Sequence, residues 1–120
     1  MGYESKLYVI EKYDTLLPDG QHKYADVIAM FDLCKCGLHR SQFRDTEYAF
    51  YADDGNTLIT EDCYGDSLGE LTIDEVIELI EHQQSTYPEY RRWDPCLAML
   101  RSFSENQYKW HTLAVLHYGH

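Results

Sequence analysis

The chain has 120 residues, 44% of them hydrophobic and 14% aromatic, which is enough for one domain with a packed core. Its 21 acidic residues against 10 Lys and Arg give a formal net charge of −11. This charge argues against direct binding to nucleic acid, because phosphate contacts need a cationic surface. No apolar run suits a membrane span and the opening residues lack a secretory signal, so we expect a single cytoplasmic domain over residues 1–120.

The first half of the sequence predicts β-strands. A run of β-branched and aromatic residues predicts one strand near residues 5–13. A second strand is predicted over about residues 24–34, where both alternating faces carry apolar side chains, as in the centre of a sheet. The polar stretch "GLHRSQFRDT" that follows indicates a loop.

The stretch "EYAFYADDGNTLITEDCYG" predicts a β-hairpin and completes a four-stranded antiparallel sheet. Asp54 and Gly55 supply the positive φ angles that a tight hairpin turn requires. The pairs expected across this hairpin are Tyr51 with Leu58 and Tyr48 with Glu61.

The second half of the sequence changes to helical periodicity. Thr72 and Glu75 form a capping box in front of apolar residues at helical spacing. Asp94 and Pro95 indicate the N-cap and first position of a second helix. The last segment, "QYKWHTLAVLHYGH", fits a strand or a helix, and we favour a helix because another helix precedes it. The predicted fold is α+β, with a four-stranded antiparallel sheet from the N-terminal half and two to three C-terminal helices packed on one face.

The stretch "CKCGLH" suggests a metal site. Zinc prefers thiolate and imidazole ligands in tetrahedral geometry, and a turn at a strand end can present several of them. The proposed zinc ligands are Cys34, Cys36, His39 and Cys63, the last at the end of the hairpin. In the alternative interpretation Cys34 is a small buried hydrophobe and Cys36 an idle loop thiol, and a redox role also stays open.

The first predicted helix carries acidic residues that fall mostly away from its apolar stripe, namely Asp74, Glu75, Glu78 and Glu81. Such a face is often only a solvated surface that keeps a protein soluble. It also attracts a basic groove on a partner protein, including one that normally holds DNA or RNA. We therefore assign these four residues as candidate partner-binding residues.

Catalytic signatures are missing from the sequence. No Ser or Cys lies in a recognisable nucleophile motif, and no glycine-rich phosphate-binding loop occurs. Cys96, near the start of the second predicted helix, has either a thiol pKa lowered by the helix dipole or a packing role in the core. We expect a protein that is not an enzyme.

The stretches "MGYESKLYVIEKY", "FYADDGNTLITEDCYG" and "LHYGH" resemble small proteins carried by phages and prophages of Gram-positive bacteria. Among these, a compact acidic domain without catalytic signatures is similar to the type II anti-CRISPR proteins, which inhibit Cas9. The resemblance implies a protein that occupies a basic surface of the Cas9 nuclease and blocks DNA binding or loading. It implies no particular fold and assigns a role to no residue, because those proteins share neither a fold nor a motif.

Two other functions remain open from the sequence. One is a zinc-binding regulatory or interaction protein of a phage or bacterium, with an unrelated protein partner. The other is a small metal-dependent or thiol-dependent enzyme. The salt dependence of binding distinguishes charge-driven binding to Cas9 from binding to a partner through an apolar interface, because charge-driven association weakens as ionic strength rises.

Overall fold

The computed structural model describes residues 5–33, 38–105 and 112–119. Within these ranges, seven strands form one mixed sheet accompanied by two α-helices and a short 3-10 helix. The strands are β1 (Ser5–Leu16), β2 (Lys23–Asp32), β3 (Arg44–Asp45), β4 (Tyr48–Tyr51), β5 (Leu58–Ile59), β6 (Gly69–Leu71) and β7 (Leu113–Gly119). The helices are the 3-10 helix Arg40–Gln42, α1 (Ile73–Thr86) and α2 (Trp93–Glu105).

The strand order across the sheet is β3-β6-β7-β1-β2-β4-β5. The long strand β1 pairs antiparallel with β2 on one side and with β7 on the other. Strand β2 lies inside the sheet as predicted, but its second neighbour β4 runs parallel to it. The α+β class is thus confirmed, while the sheet is larger than the predicted four strands and is mixed rather than antiparallel.

The described part of the C-terminal segment forms a strand over Leu113–Gly119, so the favoured helical prediction was wrong there. Strand β7 pairs with β1 along its whole length, from Leu113 opposite Glu11 to Gly119 opposite Ser5. Val115 packs in one core cluster while its neighbours Ala114 and Leu116 pack in another. A strand buried on both faces has a continuous apolar run, which periodicity alone does not distinguish from a buried helix.

Two apolar clusters cover the two faces of the sheet. In the first, helix residues such as Val76 and Leu100 pack with Leu7 and Val9 of β1. The second contains Ile10 of the same strand and Phe50 of β4, together with residues of β2 and β7. Because successive side chains of β1 point to opposite faces of the sheet, the helices pack against one face and the β4–β5 hairpin packs against the other.

The hairpin forms about the predicted turn but is shorter than expected. Tyr51 lies opposite Leu58, as predicted, and Gly55 has a positive φ of 73°. The predicted pair of Tyr48 with Glu61 was wrong, because Glu61 forms a bridge with Ser67 instead.

Both helix starts lie close to the predicted positions. Thr72 and Glu75 make both hydrogen bonds of the capping box, at 3.2 and 3.0 Å. Helix α2 begins at Trp93, one residue before the predicted N-cap Asp94. Neither helix in the described part of the chain is long and apolar enough to cross a membrane.

Candidate functional site

The predicted zinc ligands are only partly described by the structure. Cys34 and Cys36 lie outside the described residues. His39 and Cys63 are both exposed, and the backbone N–H of His39 donates to the Gln42 side chain at 2.9 Å. The described ranges contain no group of three or more His, Cys, Asp or Glu residues placed to hold a metal ion. Because they include only two of the four proposed ligands, the zinc site stays a prediction.

Cys96 packs in the core rather than acting as a reactive thiol. Its side chain is fully buried within the helix-side cluster. Burial raises the pKa of the Cys96 thiol to about 12, so the group is neutral at physiological pH. The thiolate that a cysteine nucleophile needs is therefore disfavoured at this position.

Glu75 is a structural residue of the acidic helix α1. Its carboxylate accepts two hydrogen bonds from the Arg44 guanidinium, at 2.7 Å each, in addition to the capping bond from the Thr72 backbone. These contacts, the Arg44 bonds first, lower the pKa of Glu75 to about 2. Replacing Glu75 would remove a helix cap as well as a surface charge, so it is unsuited to a test of binding.

The other three acidic residues of α1 differ in their surroundings. Asp74 accepts a hydrogen bond from Ser104 Oγ at 2.7 Å, and Glu81 forms an ion pair with Arg101 at 2.9 Å. Both contacts tie α1 to α2. Glu78 is exposed and takes part in none of the ion pairs or side-chain hydrogen bonds between described residues. Of the four acidic residues, Glu78 is thus the one whose charge has no partner among the described residues.

Glu78 borders a groove of about 460 Å³ between α1 and residues 41–44, which we call the acidic groove. The apolar part of its lining comes from Phe43, Leu71 and Leu79. This groove was not predicted from the sequence, in which residues 37–46 have the composition of a polar loop. The only local signal was Phe43, an aromatic residue inside an otherwise polar stretch.

Buried His117 holds the loop that forms one wall of the acidic groove. Its Nε2–H donates to the Leu38 carbonyl at 2.9 Å, and Nε2 lies 3.1 Å from Ser5 Oγ. The Phe43 ring stacks on the imidazole with 4.7 Å between ring centroids. Gly69 makes room for this arrangement, since a Cβ there would lie 2.4 Å from Cβ of Phe43. These contacts fix Phe43 against the sheet.

His117 is fully buried, and this burial lowers its pKa to about 4 against the partly opposing effect of the Leu38 hydrogen bond. The imidazole is therefore neutral at pH 7. Above about pH 6.5 the residue is neutral in both the folded and the unfolded chain. Between pH 6.5 and 4 the unfolded chain binds a proton that the folded chain does not, so stability falls as the pH falls.

We predict that the free energy of unfolding decreases between pH 6.5 and 4, with a His117 contribution of at most about 1.4 kcal/mol per pH unit. Urea unfolding at several pH values measures this slope. His117→Gln should be less stable at pH 7 and show a flatter slope, whereas the buried control Leu116→Ala, which removes no titratable group, should be less stable but keep the wild-type slope. Equal slopes in His117→Gln and the wild type would contradict the assignment.

Comparison with known proteins identifies no relative of this chain. No protein-family model matches it, and neither does any curated protein or solved structure. The resemblance to anti-CRISPR proteins therefore stays a hypothesis from the sequence.

Proposed function

We propose that this protein is a non-enzymatic binding protein whose acidic surface engages a basic surface of a protein partner. The observation that carries the proposal is the distribution of charge along the chain. Residues 45–90 contain thirteen Asp and Glu residues and no Lys or Arg. This cation-free segment includes the β4–β5 hairpin, β6 and α1, so much of the fold carries negative formal charge alone.

Many of the cations elsewhere in the chain are engaged within the fold. Five Lys and Arg residues of the described ranges form ion pairs with carboxylates. The pairs are Lys12 with Glu70, Lys23 with Asp14 and Glu47, Arg40 with Asp45, Arg44 with Glu75, and Arg101 with Glu81. These cations neutralise particular carboxylates and leave the surplus of negative charge on other exposed residues, such as Asp53, Glu61 and Glu89.

A surplus of this kind acts mainly on the rate and the selectivity of association. Complementary charge steers a cationic partner toward the surface and repels anionic competitors. The attraction between exposed charges is screened within about 8 Å at physiological ionic strength. Binding that depends on this surface should therefore weaken markedly as salt is added.

The partner we propose is a Cas9-type nuclease. Such nucleases hold the guide–target heteroduplex in a positively charged channel, which an acidic protein of this size could occupy. Occupation of the channel would block DNA binding or loading. The resemblance of the sequence to type II anti-CRISPR proteins supports this choice of partner, and the charge distribution supports the mode of binding.

We predict that a molar excess of the purified protein reduces DNA cleavage by a Cas9 nuclease, and that added salt weakens the inhibition. Removing three exposed charges by Asp53→Asn, Glu61→Gln and Glu89→Gln should slow association several-fold without unfolding the protein. The uncharged exposed change Tyr87→Ser serves as the control. Cleavage that is unaffected at large excess would refute the Cas9 assignment for that enzyme and favour an unrelated protein partner.

Zinc is proposed as a structural cofactor of this binding protein, with Cys34, Cys36, His39 and Cys63 as its ligands. The residue types suit the ion, and the two ligands that the structure describes, His39 and Cys63, are exposed. Bound zinc would tie the segment before the 3-10 helix to the end of the hairpin and add to stability, because metal binding energy in a structural site is partly folding energy.

We predict about one zinc ion per chain by elemental analysis of protein purified without chelator. Chelation should lower the melting temperature, and the double variant Cys34→Ser, Cys36→Ser should lose the metal. The variant Cys96→Ala changes a cysteine outside the proposed site and should keep it. Metal-free wild-type protein, or full zinc retention in the double variant, would rule out this site.

A further inference from the structure

We infer that the acidic groove receives an arginine side chain of the protein partner. The inference rests on the proposed function and makes it more specific, since it assigns the contact to one place on the acidic surface and names the chemistry of the group bound there. The shape of the groove, its charge and its rigidity each support the assignment.

The shape of the groove suits a long side chain with a charged end. Phe43 and Leu71 are buried beneath it, at 6% and 5% exposure, and Leu79 is partly buried at its side. Arginine and lysine pack their methylene stems along apolar surface of this kind while the charged group stays at the polar rim. An apolar lining next to a carboxylate therefore matches both parts of a basic side chain.

The charge at the rim is negative and uncompensated. Glu75 and Glu78 line the groove together with Arg44 and His82, and the Arg44 guanidinium is already bound to Glu75. Glu78 keeps a carboxylate with no partner among the described residues. A guanidinium group matches a carboxylate better than an ammonium group does, because it can donate two parallel hydrogen bonds, as Arg44 does to Glu75.

The walls of the groove are held in place before any partner binds. Phe43 is stacked on buried His117, and Glu75 is held by the capping box and by Arg44. Prior ordering of this kind lowers the conformational cost of binding. Glu78 itself lies in the middle of α1, so the helix backbone positions its carboxylate next to the groove.

Two other cavities of the described chain each include one carboxylate, Asp66 in the first and Asp53 in the second, but their remaining lining differs from that of the acidic groove. No apolar side chain lies among the described lining residues of the first. A cavity of about 430 Å³ lies beside Arg40, whose guanidinium already donates to Ser67 and Phe43 carbonyls and to Asp45. A smaller cavity of about 200 Å³ is lined by aromatic rings, and it already has Lys6 placed 5.7 Å from the Tyr118 ring centre. The acidic groove is therefore better suited to a basic side chain.

The test is the binding of a fluorescein-labelled peptide of alternating Arg and Ser residues, measured by fluorescence anisotropy. Glu78→Gln and Glu105→Gln are matched variants, because each removes one exposed negative charge but only Glu78 lines the groove. We expect Glu78→Gln to raise the Kd about fivefold and Glu105→Gln to raise it less than twofold. Circular dichroism establishes that both variants are folded.

Equal weakening by the two variants would overturn the groove assignment, because the peptide would then respond to overall charge. That result would leave the proposed function intact. A Kd unchanged by Glu78→Gln, or no binding of the peptide to the wild-type protein, would also overturn the inference. The Cas9 cleavage assay tests the proposed function separately, so failure of one is distinguishable from failure of the other.

Discussion

The buried imidazole of His117 is the contact on which the arrangement of the candidate site depends. Through Nε2 it meets Ser5, 112 positions away, and the Leu38 carbonyl, 79 positions away, and so joins β7, β1 and the loop before the 3-10 helix. Burial of a polar ring is costly unless it is hydrogen-bonded, and the Leu38 carbonyl meets this requirement at Nε2, whereas Nδ1 has no partner among the described residues. Phe43 stacks on the ring, and Gly69 of β6 leaves the space that Phe43 occupies.

The position of Phe43 determines how the rest of the acidic groove is arranged. Once Phe43 is fixed, Arg44 at the start of β3 reaches the carboxylate of Glu75, which also caps α1. The same helix also presents Glu78 to the groove, where no cation of the described chain compensates it. Because Asp74 and Glu81 contact α2, three of the four acidic residues of α1 have structural contacts, and Glu78 has none among the described residues.

Local signals in the sequence predicted local structure well, and long-range contacts account for the errors. The capping box at Thr72 and the turn at Gly55 are determined by residues within a few positions, and both are present. The strand character of β7 depends on burial by elements distant in sequence, so its apolar run was assigned to a helix. The partner of Glu75 is 31 positions away, the role of His117 has no local signature, and the groove has only Phe43 as a local signal. Two of the four predicted zinc ligands lie outside the described ranges.

The assignment of the acidic groove as a binding site is tested most directly by two-dimensional ¹H–¹⁵N NMR spectra of the protein titrated with the arginine-containing peptide. If the acidic groove is the binding site, the largest amide shifts should cluster at residues 41–44 and 71–82, the segments that line it. They should saturate together with a single dissociation constant. Shifts concentrated at residues 53–66, which cover the hairpin turn, β5 and the loop after it, with the groove amides unchanged, would contradict this assignment.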